Sequence, residues 1–280
     1  MTTATRAHAS AASRGPGRII AVANQKGGVG KTTTSVNLAA SLAAGERATL
    51  LVDCDPQANA SSGVGVRARG VAATLYDTLV GRASLLELIR PTDVDGLSVV
   101  PSSPDLVGVE LELVDAEDRA TRLRDALAPV RDDYGYVLLD CPPALGLLTI
   151  NALTAAHEVL VPLQCEYYAL EGLTQLMNTI DRVRDAFNPD LRVLGVVLTM
   201  FDPRNTLTHQ VADEVRQHFH VFDTVIPRNV KLSEAPSHGV PVLLYDIACK
   251  GAQGYLGLAR EVMRRTAEAS PAVAVSPEQR

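Results

Sequence analysis

Residues 26–33 decide the fold of this chain: Lys26, Gly27, Gly28, Val29, Gly30, Lys31, Thr32 and Thr33. The apolar run Ile19–Ala23 precedes them, and the helix-like run Ser35–Leu42 follows. A strand, a glycine-rich loop ending in Lys-Thr and a helix, in this order, are the layout of a phosphate-binding loop. A plain glycine turn that joins a strand to a helix is the competing interpretation. The G-x-G-x-x-G pattern of a dinucleotide fold is missing from this stretch.

The residue types of the loop suit a nucleoside triphosphate. Glycines allow positive φ, so successive N–H groups can turn towards the ligand, and the helix starting near Gly30 points its positive dipole end at the same place. We expect Lys31 to contact the β- and γ-phosphates, the Thr32 hydroxyl to bind Mg²⁺ and Thr33 to hold the α-phosphate. A second lysine, Lys26, opens the loop, although the chain has only four lysines.

Composition restricts the class of protein. The chain has 280 residues with 46% hydrophobic content, which is enough for one large α/β domain. Its formal net charge is −6, so contact with a nucleic acid would need a local basic patch. The cysteines form no C-x-x-C pair, which predicts reduced, mostly buried thiols at Cys54, Cys141, Cys165 and Cys249. We see no apolar stretch long enough to cross a membrane and no signal-peptide core.

Short apolar runs alternate with helical patterns along the chain. The runs are rich in Val, Ile and Leu, as in strands buried on both faces. The pattern predicts an α/β P-loop NTPase with a mostly parallel central sheet and helices on both faces. We expect one domain at residues 18–268, with disordered tails at 1–17 and 269–280. The predicted strands are 18–24, 48–53, 97–101, 136–140, 158–162, 192–199 and 222–226, and the predicted helices are 31–44, 105–128, 146–156, 169–187, 206–219 and 251–268.

Three acids follow two of the apolar strands. Asp53 and Asp55 end one strand, and Asp140 ends another. Ligands of open α/β sheets bind at the carboxyl ends of the strands, so we expect all three acids beside the phosphate loop. Asp140 is the natural acid to hold Mg²⁺ through water. Either Asp53 or Asp55 could orient an attacking water, and Asp53 could equally be a structural acid tied to its loop.

These motifs resemble those of the ParA/MinD family of deviant-Walker P-loop ATPases. The chain is most similar to the chromosomal ParA (Soj) branch, over roughly residues 18–268. The resemblance rests on separated segments at 24–33, 52–59, 139–143 and 226–237.

The resemblance implies an ATP hydrolase that uses ATP and Mg²⁺ and forms a homodimer with the nucleotides sandwiched between its subunits. Lys26 would be the signature lysine that reaches the partner's phosphates, a cation supplied in trans. Asp55 matches the catalytic carboxylate of the family. Pro227 and Asn229 match the segment that frames the adenine.

The resemblance also implies partners. Arg204 and Lys231 match basic positions that the family uses to bind double-stranded DNA without sequence preference, and such binding is sensitive to salt. Arg228 and Lys250 are further candidates, and each of these charges could instead be a solvated surface charge. Relatives use the region before the domain, here mildly basic with Arg6, Arg14 and Arg18, to contact a DNA-bound ParB-like protein that stimulates hydrolysis. The location implied is cytoplasmic and nucleoid-associated.

Three other functions remain open from the sequence. A MinD-like membrane-associated ATPase needs a C-terminal amphipathic helix, whereas residues 267–280 are rich in Ala, Pro and Ser, so we expect no membrane partner. An electron donor like the nitrogenase iron protein needs cysteines paired at a dimer interface. A GTPase needs the motif N/T-K-x-D, of which Thr199–Asp202 is only an echo without the lysine.

Overall fold

A central sheet organises the computed structural model, which describes residues 17–67, 70–166 and 169–268. Within these residues the sheet has seven strands, in the order β3-β4-β2-β5-β1-β6-β7. All neighbouring strands are parallel except β3 and β4. The predicted α/β class with a mostly parallel sheet is therefore confirmed. The strands are β1 (Arg18–Val22), β2 (Thr49–Asp53), β3 (Arg90–Pro91), β4 (Leu97–Val100), β5 (Tyr136–Asp140), β6 (Glu158–Gln164) and β7 (Arg192–Thr199).

Helices connect the strands and cover the sheet. The long ones agree with the sequence-based bounds to within one residue. They are α1 (Lys31–Ala44), α2 (Asn59–Gly63), α3 (Leu75–Leu79), α4 (Leu85–Leu88), α5 (Val109–Glu112), α6 (Arg122–Leu127), α7 (Leu147–Ala155), α8 (Ala169–Ala186), α9 (Thr206–His218), α10 (Val230–Glu234), α11 (Val242–Tyr245) and α12 (Lys250–Glu268). In the part of the chain described, none of these helices combines the length and apolar content needed to cross a bilayer.

The strands are apolar throughout because both faces of the sheet are covered. Alternate strand residues point to opposite faces. Ile20 and Leu138 pack in the core that α1 and α12 complete. Ile19 and Val137 pack in the other core, which contains residues of α3 to α9. Helices on both faces were predicted, and the two cores explain why the strand sequences lack alternation.

The parallel pairing brings the carboxyl ends of the strands to one edge of the sheet. Val22, the last residue of β1, lies opposite Asp140 of β5. Asp140 in turn lies opposite Asp53 of β2. The loop that leaves β1, which contains the glycines, therefore starts beside both carboxylates.

The strand prediction at residues 222–226 is wrong. This segment runs along the free edge of β7, where Phe222 N–H donates to Val196 O and Ile226 N–H donates to Leu198 O. Between these bonds, the N–H groups of Asp223 and Thr224 donate instead to the buried carboxylate of Glu261. The carboxylate thus takes the place of the backbone acceptors that a regular strand would have, and only isolated β-bridges to this part of the chain remain.

The helix prediction at residues 105–128 is also wrong. The chain forms a 3₁₀ turn at Pro104–Gly108, then α5, and becomes helical again only at α6. Between α5 and α6 the chain forms β-turns, in which Ala116 N–H donates to Leu113 O, Arg119 N–H to Ala116 O and Thr121 N–H to Asp118 O. Asp and Thr favour such turns over helix interiors. The short elements α2, α3, α4, α10, α11 and β3 were not predicted. The predicted tails lie outside the described residues, apart from Gly17.

Gly195 generates a prediction about stability. It follows one extra residue in β7, at a shift of register against β6, and its φ is +155°. A Cβ there would lie 2.9 Å from Phe222 Cε2 and 3.0 Å from His220 O. Gly195→Ala should therefore lower the free energy of unfolding by about 2–4 kcal/mol, measured by urea denaturation. Gly108→Ala, whose Cβ would meet Tyr76 at an ordinary 3.7 Å, should change it by no more than about 0.5 kcal/mol.

Candidate nucleotide-binding site

The glycine loop has the backbone of an anion-binding site. Gly28 has φ +77° and Gly30 has φ +86°, in the left-handed region that glycine adopts at little cost. Gly30 is the N-cap of α1 and has no side chain to occupy the first N–H groups of the helix. Those groups and the helix dipole are therefore available to an anion.

The two lysines of the loop have different environments. Lys31 is only 7% exposed, and its Nζ donates to Lys26 O at 3.0 Å. Burial lowers the pKa of Lys31, while the charges of Asp140 and Asp55 raise it. The Lys26 side chain is one-third exposed and forms an ion pair with Glu166 at 2.5 Å. Lys31 thus serves its own loop, whereas Lys26 lies at the outside of it.

Asp53 is fixed by donors from its own loop. Its Oδ2 accepts hydrogen bonds from Ser61 N at 2.7 Å and Ser61 Oγ at 2.6 Å. Its Oδ1 accepts a hydrogen bond from Asp55 N. Burial raises the pKa of this carboxyl to about 6, although the Ser61 bonds oppose the shift. With both oxygens occupied, the geometry favours the structural alternative for Asp53.

Asp140 has an acceptor atom to spare. Its Oδ1 accepts a hydrogen bond from Ser35 Oγ at 2.7 Å. Its Oδ2 is buried and has no hydrogen-bond partner of good geometry among the described residues. Burial and the neighbouring Asp53 raise the pKa of Asp140. The hydroxyl of Thr32 is close enough to lower that pKa, so the two residues predicted to hold Mg²⁺ lie together.

These residues fit Mg²⁺. An unsatisfied carboxylate oxygen beside a threonine hydroxyl offers hard oxygen ligands, and Mg²⁺ in nucleotide sites takes one or two protein ligands plus phosphate and water. No cluster of three or more His, Cys, Asp or Glu side chains occurs in the described ranges that could hold a metal by itself. The phosphates of the nucleotide and water would thus supply the remaining ligands.

Asp55 lies where β2 continues into the next loop. It is 8% exposed, and its Oδ1 accepts a hydrogen bond from Gln57 N at 2.9 Å. Its carbonyl oxygen accepts a hydrogen bond from Ser102 Oγ at 2.7 Å. One bond holds the side chain of Asp55 and the other its backbone, so the carboxylate has a fixed position at the nucleotide edge of the sheet.

A cleft beside the glycine loop contains the residues predicted for the adenine. Gly30 and Thr33 line one part of it, and Pro227 and Asn229 line the other. The Asn229 Oδ1 caps α10 by accepting a hydrogen bond from Lys231 N at 2.9 Å. The structure thus brings these two distant parts of the sequence together at one cleft. Tyr255 from α12 also lines it.

Sequence reasoning missed several residues that hold the loop. Thr199, at the end of β7, donates its hydroxyl to Val29 O at 2.8 Å. Asn24 accepts a hydrogen bond from Lys26 N and donates one to Pro162 O. Ser35 and Glu166 contact Asp140 and Lys26 as described above. The position of Thr199 at the end of a buried strand was a signal for it, because that is where ligand-facing residues occur.

The two residues predicted for DNA lie outside the cleft. The Arg204 side chain is 88% exposed and pairs with Asp202. Lys231 is half-exposed and pairs with Glu234 at 2.9 Å. Because Asp202 is engaged by Arg204, it gives no support to a guanine-reading motif. Arg228 borders the cleft, and Lys250 is exposed at the start of α12.

The cysteines are mostly buried, as predicted. Cys54, Cys141 and Cys165 are buried and Cys249 is half-buried. The thiols of Cys54 and Cys141 donate to the carbonyl oxygens of Val52 and Leu139, and burial raises the pKa of both thiols. These neutral thiols are explained by packing.

The loop, the carboxylates and the cleft define a P-loop nucleotide hydrolase. The AAA domain family matches residues 17–193. The chain is 57% identical over 257 residues to the chromosome partitioning protein ParA of Myxococcus xanthus, covering 91% of each chain. It is 53% identical over 256 residues to the chromosome-partitioning ATPase Soj of Thermus thermophilus, covering 90% of this chain and 98% of the relative.

A solved structure with bound ligand agrees with this class. The cobyrinic acid a,c-diamide synthase of Mycobacterium smegmatis, solved with an ATP analogue and magnesium, has a TM-score of 0.81 and 36% identity, covering 89% of this chain and 95% of that one. The chain belongs to the AAA domain family and, within it, to the ParA/Soj ATPases. It is an ATP hydrolase with a P-loop, and its cofactors are ATP and Mg²⁺.

Thr199 generates a prediction about nucleotide affinity. Thr199→Val removes the hydroxyl that holds Val29 O and leaves that buried carbonyl without its donor, while side-chain volume is kept. We expect the dissociation constant for ATP, measured by calorimetry, to rise about five- to tenfold. Thr199→Ser should restore wild-type affinity. A valine variant that binds ATP as tightly as the wild type would show that this hydrogen bond does not support the loop.

Proposed function

We propose that this protein is a DNA-partitioning ATPase that dimerises when it binds ATP and binds DNA as a dimer. It is released from the DNA when a partner protein stimulates ATP hydrolysis. The observation that carries the proposal is the separation of the two lysines. Lys31 is buried within its own loop, whereas Lys26 is held outside it by one ion pair. A cation in that position can exchange its carboxylate partner for a phosphate of a second subunit.

The roles proposed for the site residues follow from their environments. Lys31 and the N–H groups of Gly28 to Lys31 bind the phosphates of the same subunit, and the residues of the cleft, with Pro227 and Asn229, hold the adenine. Thr32 and Asp140 hold Mg²⁺, the latter through water, and the ion adds positive charge beside the phosphates. Asp55 accepts a hydrogen bond from the water that attacks the γ-phosphorus, with ADP as the leaving group. Asp53 keeps the loop of Asp55 in place.

Dimerisation makes hydrolysis and DNA binding depend on ATP. The Lys26 of one subunit stabilises negative charge on the other subunit's phosphates, which is the logic of a cation supplied in trans. A dimer also doubles the number of basic side chains that one DNA molecule meets. This matters because the chain has a net charge of −6, so its attraction to DNA must be local.

The names of the relatives support the cellular role. Proteins 53–57% identical to this chain are named for chromosome partitioning, and partitioning implies a partner at a DNA site. We propose a ParB-like protein as that partner and the nucleoid as the location. The extent of the domain, residues 18–268, stays a prediction. The synthase activity in the name of the structural neighbour is not proposed for this chain.

Lys26 provides the first test of the proposed mechanism. Lys26→Ala should bind ATP with wild-type affinity as a monomer, because Lys31 and the loop backbone remain. It should not dimerise with a non-hydrolysable ATP analogue in light scattering, and turnover should fall at least about 100-fold. Lys31→Ala is the matched control and should lose ATP binding itself. A Lys26→Ala variant that still forms ATP-dependent dimers would refute the role in trans.

DNA binding provides the second test. ATP should increase the affinity for a random-sequence duplex in fluorescence anisotropy, and the affinity should fall steeply with salt. Arg204→Ala and Lys231→Ala should each weaken DNA binding about five- to tenfold and leave ATP binding intact. Asp55→Ala should bind DNA and stay bound, because hydrolysis releases the dimer.

Two results would change the assignment. If ATP has no effect on DNA affinity, the partitioning function fails. If the protein instead sediments with anionic liposomes on ATP, the MinD-like alternative is favoured. Turnover measured with DNA alone, the ParB-like protein alone and both together tests the partner, and stimulation should be largest with both.

A further inference from the structure

The cation of Arg204 is already neutralised by a carboxylate. Its Nε donates to Asp202 Oδ1 at 3.1 Å, and its Nη2 donates to Asp202 Oδ2 at 3.2 Å. The backbone N–H of Arg204 also donates to Asp202 Oδ1 at 3.0 Å. This fork-to-carboxylate geometry is the one that an arginine would offer to a phosphate. Asp202 therefore competes directly with DNA for the same donors.

Lys231 is held in the same way. Its Nζ donates to Glu234 Oε2 at 2.9 Å and lies 5.3 Å from the centre of the Tyr245 ring. The Tyr245 hydroxyl donates to the same Glu234 oxygen at 3.0 Å. The hydrogen bond from Lys231 lowers the pKa of Glu234, so the acid is ionised under ordinary conditions. A phosphate that binds Lys231 must displace this carboxylate or approach against its charge.

The two pairs lie on adjoining segments of the chain. Phe201 N–H donates to Ile226 O at 3.0 Å, which joins the loop of Arg204 to the segment that leads to Lys231. Hydrogen bonds from Arg204 and, less strongly, the charge of Arg228 lower the pKa of Asp202, so Arg228 is near this pair too. We call Arg204, Arg228 and Lys231 the basic surface.

We propose that Asp202 and Glu234 set the DNA affinity of the basic surface by occupying its cations until phosphates replace them. This inference rests on the proposed DNA-binding function and assigns the two acids a role in it. On this basis the subunit carries three cations and two anions at the surface, so a single subunit attracts DNA weakly. The dimer, with twice the cations at one duplex, can exchange all of its carboxylates for phosphates together. Tight binding then requires ATP, and release is complete when the dimer separates.

The test removes each negative charge and keeps the side-chain shape. Asp202→Asn and Glu234→Gln should each increase the affinity of the ATP-bound protein for a random-sequence duplex about three- to fivefold at 0.1 M salt. The double variant should show about the product of the two effects, because the pairs share no residue. The dependence of log K on log salt should steepen by about one unit for each cation freed. ATP binding and basal ATPase activity should stay at wild-type values.

A matched control separates this effect from a general change of charge. Asp181 pairs with Arg184 at 2.8 Å on α8 and has an exposed side chain, outside the basic surface. Asp181→Asn changes the net charge by the same amount and should leave DNA affinity within about twofold. Thermal melting of each variant checks that the fold is intact. Asp202 and Glu234 lie on different elements, so a local change of structure at one would not account for an effect at the other.

The outcomes distinguish the inference from the proposed function. If the wild type binds no DNA on ATP, the proposed function fails. If the wild type binds and Arg204→Ala weakens binding, while Asp202→Asn and Glu234→Gln bind like the wild type or more weakly, the inference is wrong and the acids position the cations or are inert. An equal gain for Asp181→Asn would also overturn it, because the effect would then come from net charge.

Discussion

The parallel pairing of β1 with β5 is the constraint on which the nucleotide site depends. It places Val22, and with it the start of the glycine loop, opposite Asp140. The chain then returns through α1, whose residue Ser35 donates to the same carboxylate. The spacing between the phosphate loop and Asp140, the acid proposed to hold Mg²⁺, is therefore fixed by strand register and one hydrogen bond. A shift of one residue would turn Asp140 to the other face of the sheet.

This arrangement buries charges before any nucleotide arrives. Asp53, Asp140 and Lys31 are each at most 7% exposed. Burial raises the pKa of both carboxyl groups and lowers that of the lysine, so it favours the neutral form of each group. Because the pKa of Asp140 is raised in the folded protein, its protonated form contributes to stability. That contribution is lost as the pH rises through the raised pKa. A bound Mg²⁺ would have the opposite effect on Asp140, since it favours the ionised carboxylate. Some stability of the empty protein is thus exchanged for a site that is already shaped for its ligand.

The sheet and the chemistry at its edge could be predicted from the sequence because both depend on patterns within short stretches of the chain. Long apolar runs and the glycine loop identified β1, β2, β5, β6, β7 and α1 with nearly correct bounds. Most of what failed depended on side-chain contacts that the pattern of apolar residues does not show. Residues 222–226 look like a strand, but Glu261 takes two of their N–H groups. The structural hydrogen bonds of Asp53 come from Ser61, and the partners of Arg204 and Lys231 required side-chain positions. The segment 105–128 failed for a local reason, because its Asp and Thr residues form turns in place of helix.

The choice between lysine and arginine follows the same geometry. Only four of the 26 basic residues of the chain are lysines, and two of these lie in the glycine loop. Lys31 must reach through a space that leaves it 7% exposed, and a slender chain with a compact charge fits there better than a planar guanidinium. In the proposed mechanism Lys26 leaves the carboxylate of Glu166 and binds a phosphate, which a single ammonium on a flexible stem does with little orientation cost. Arg204 lies on the open surface, where a fork that binds two oxygens is useful. Because the same fork also suits a carboxylate, Asp202 competes effectively with a phosphate for Arg204, the residue proposed to bind DNA.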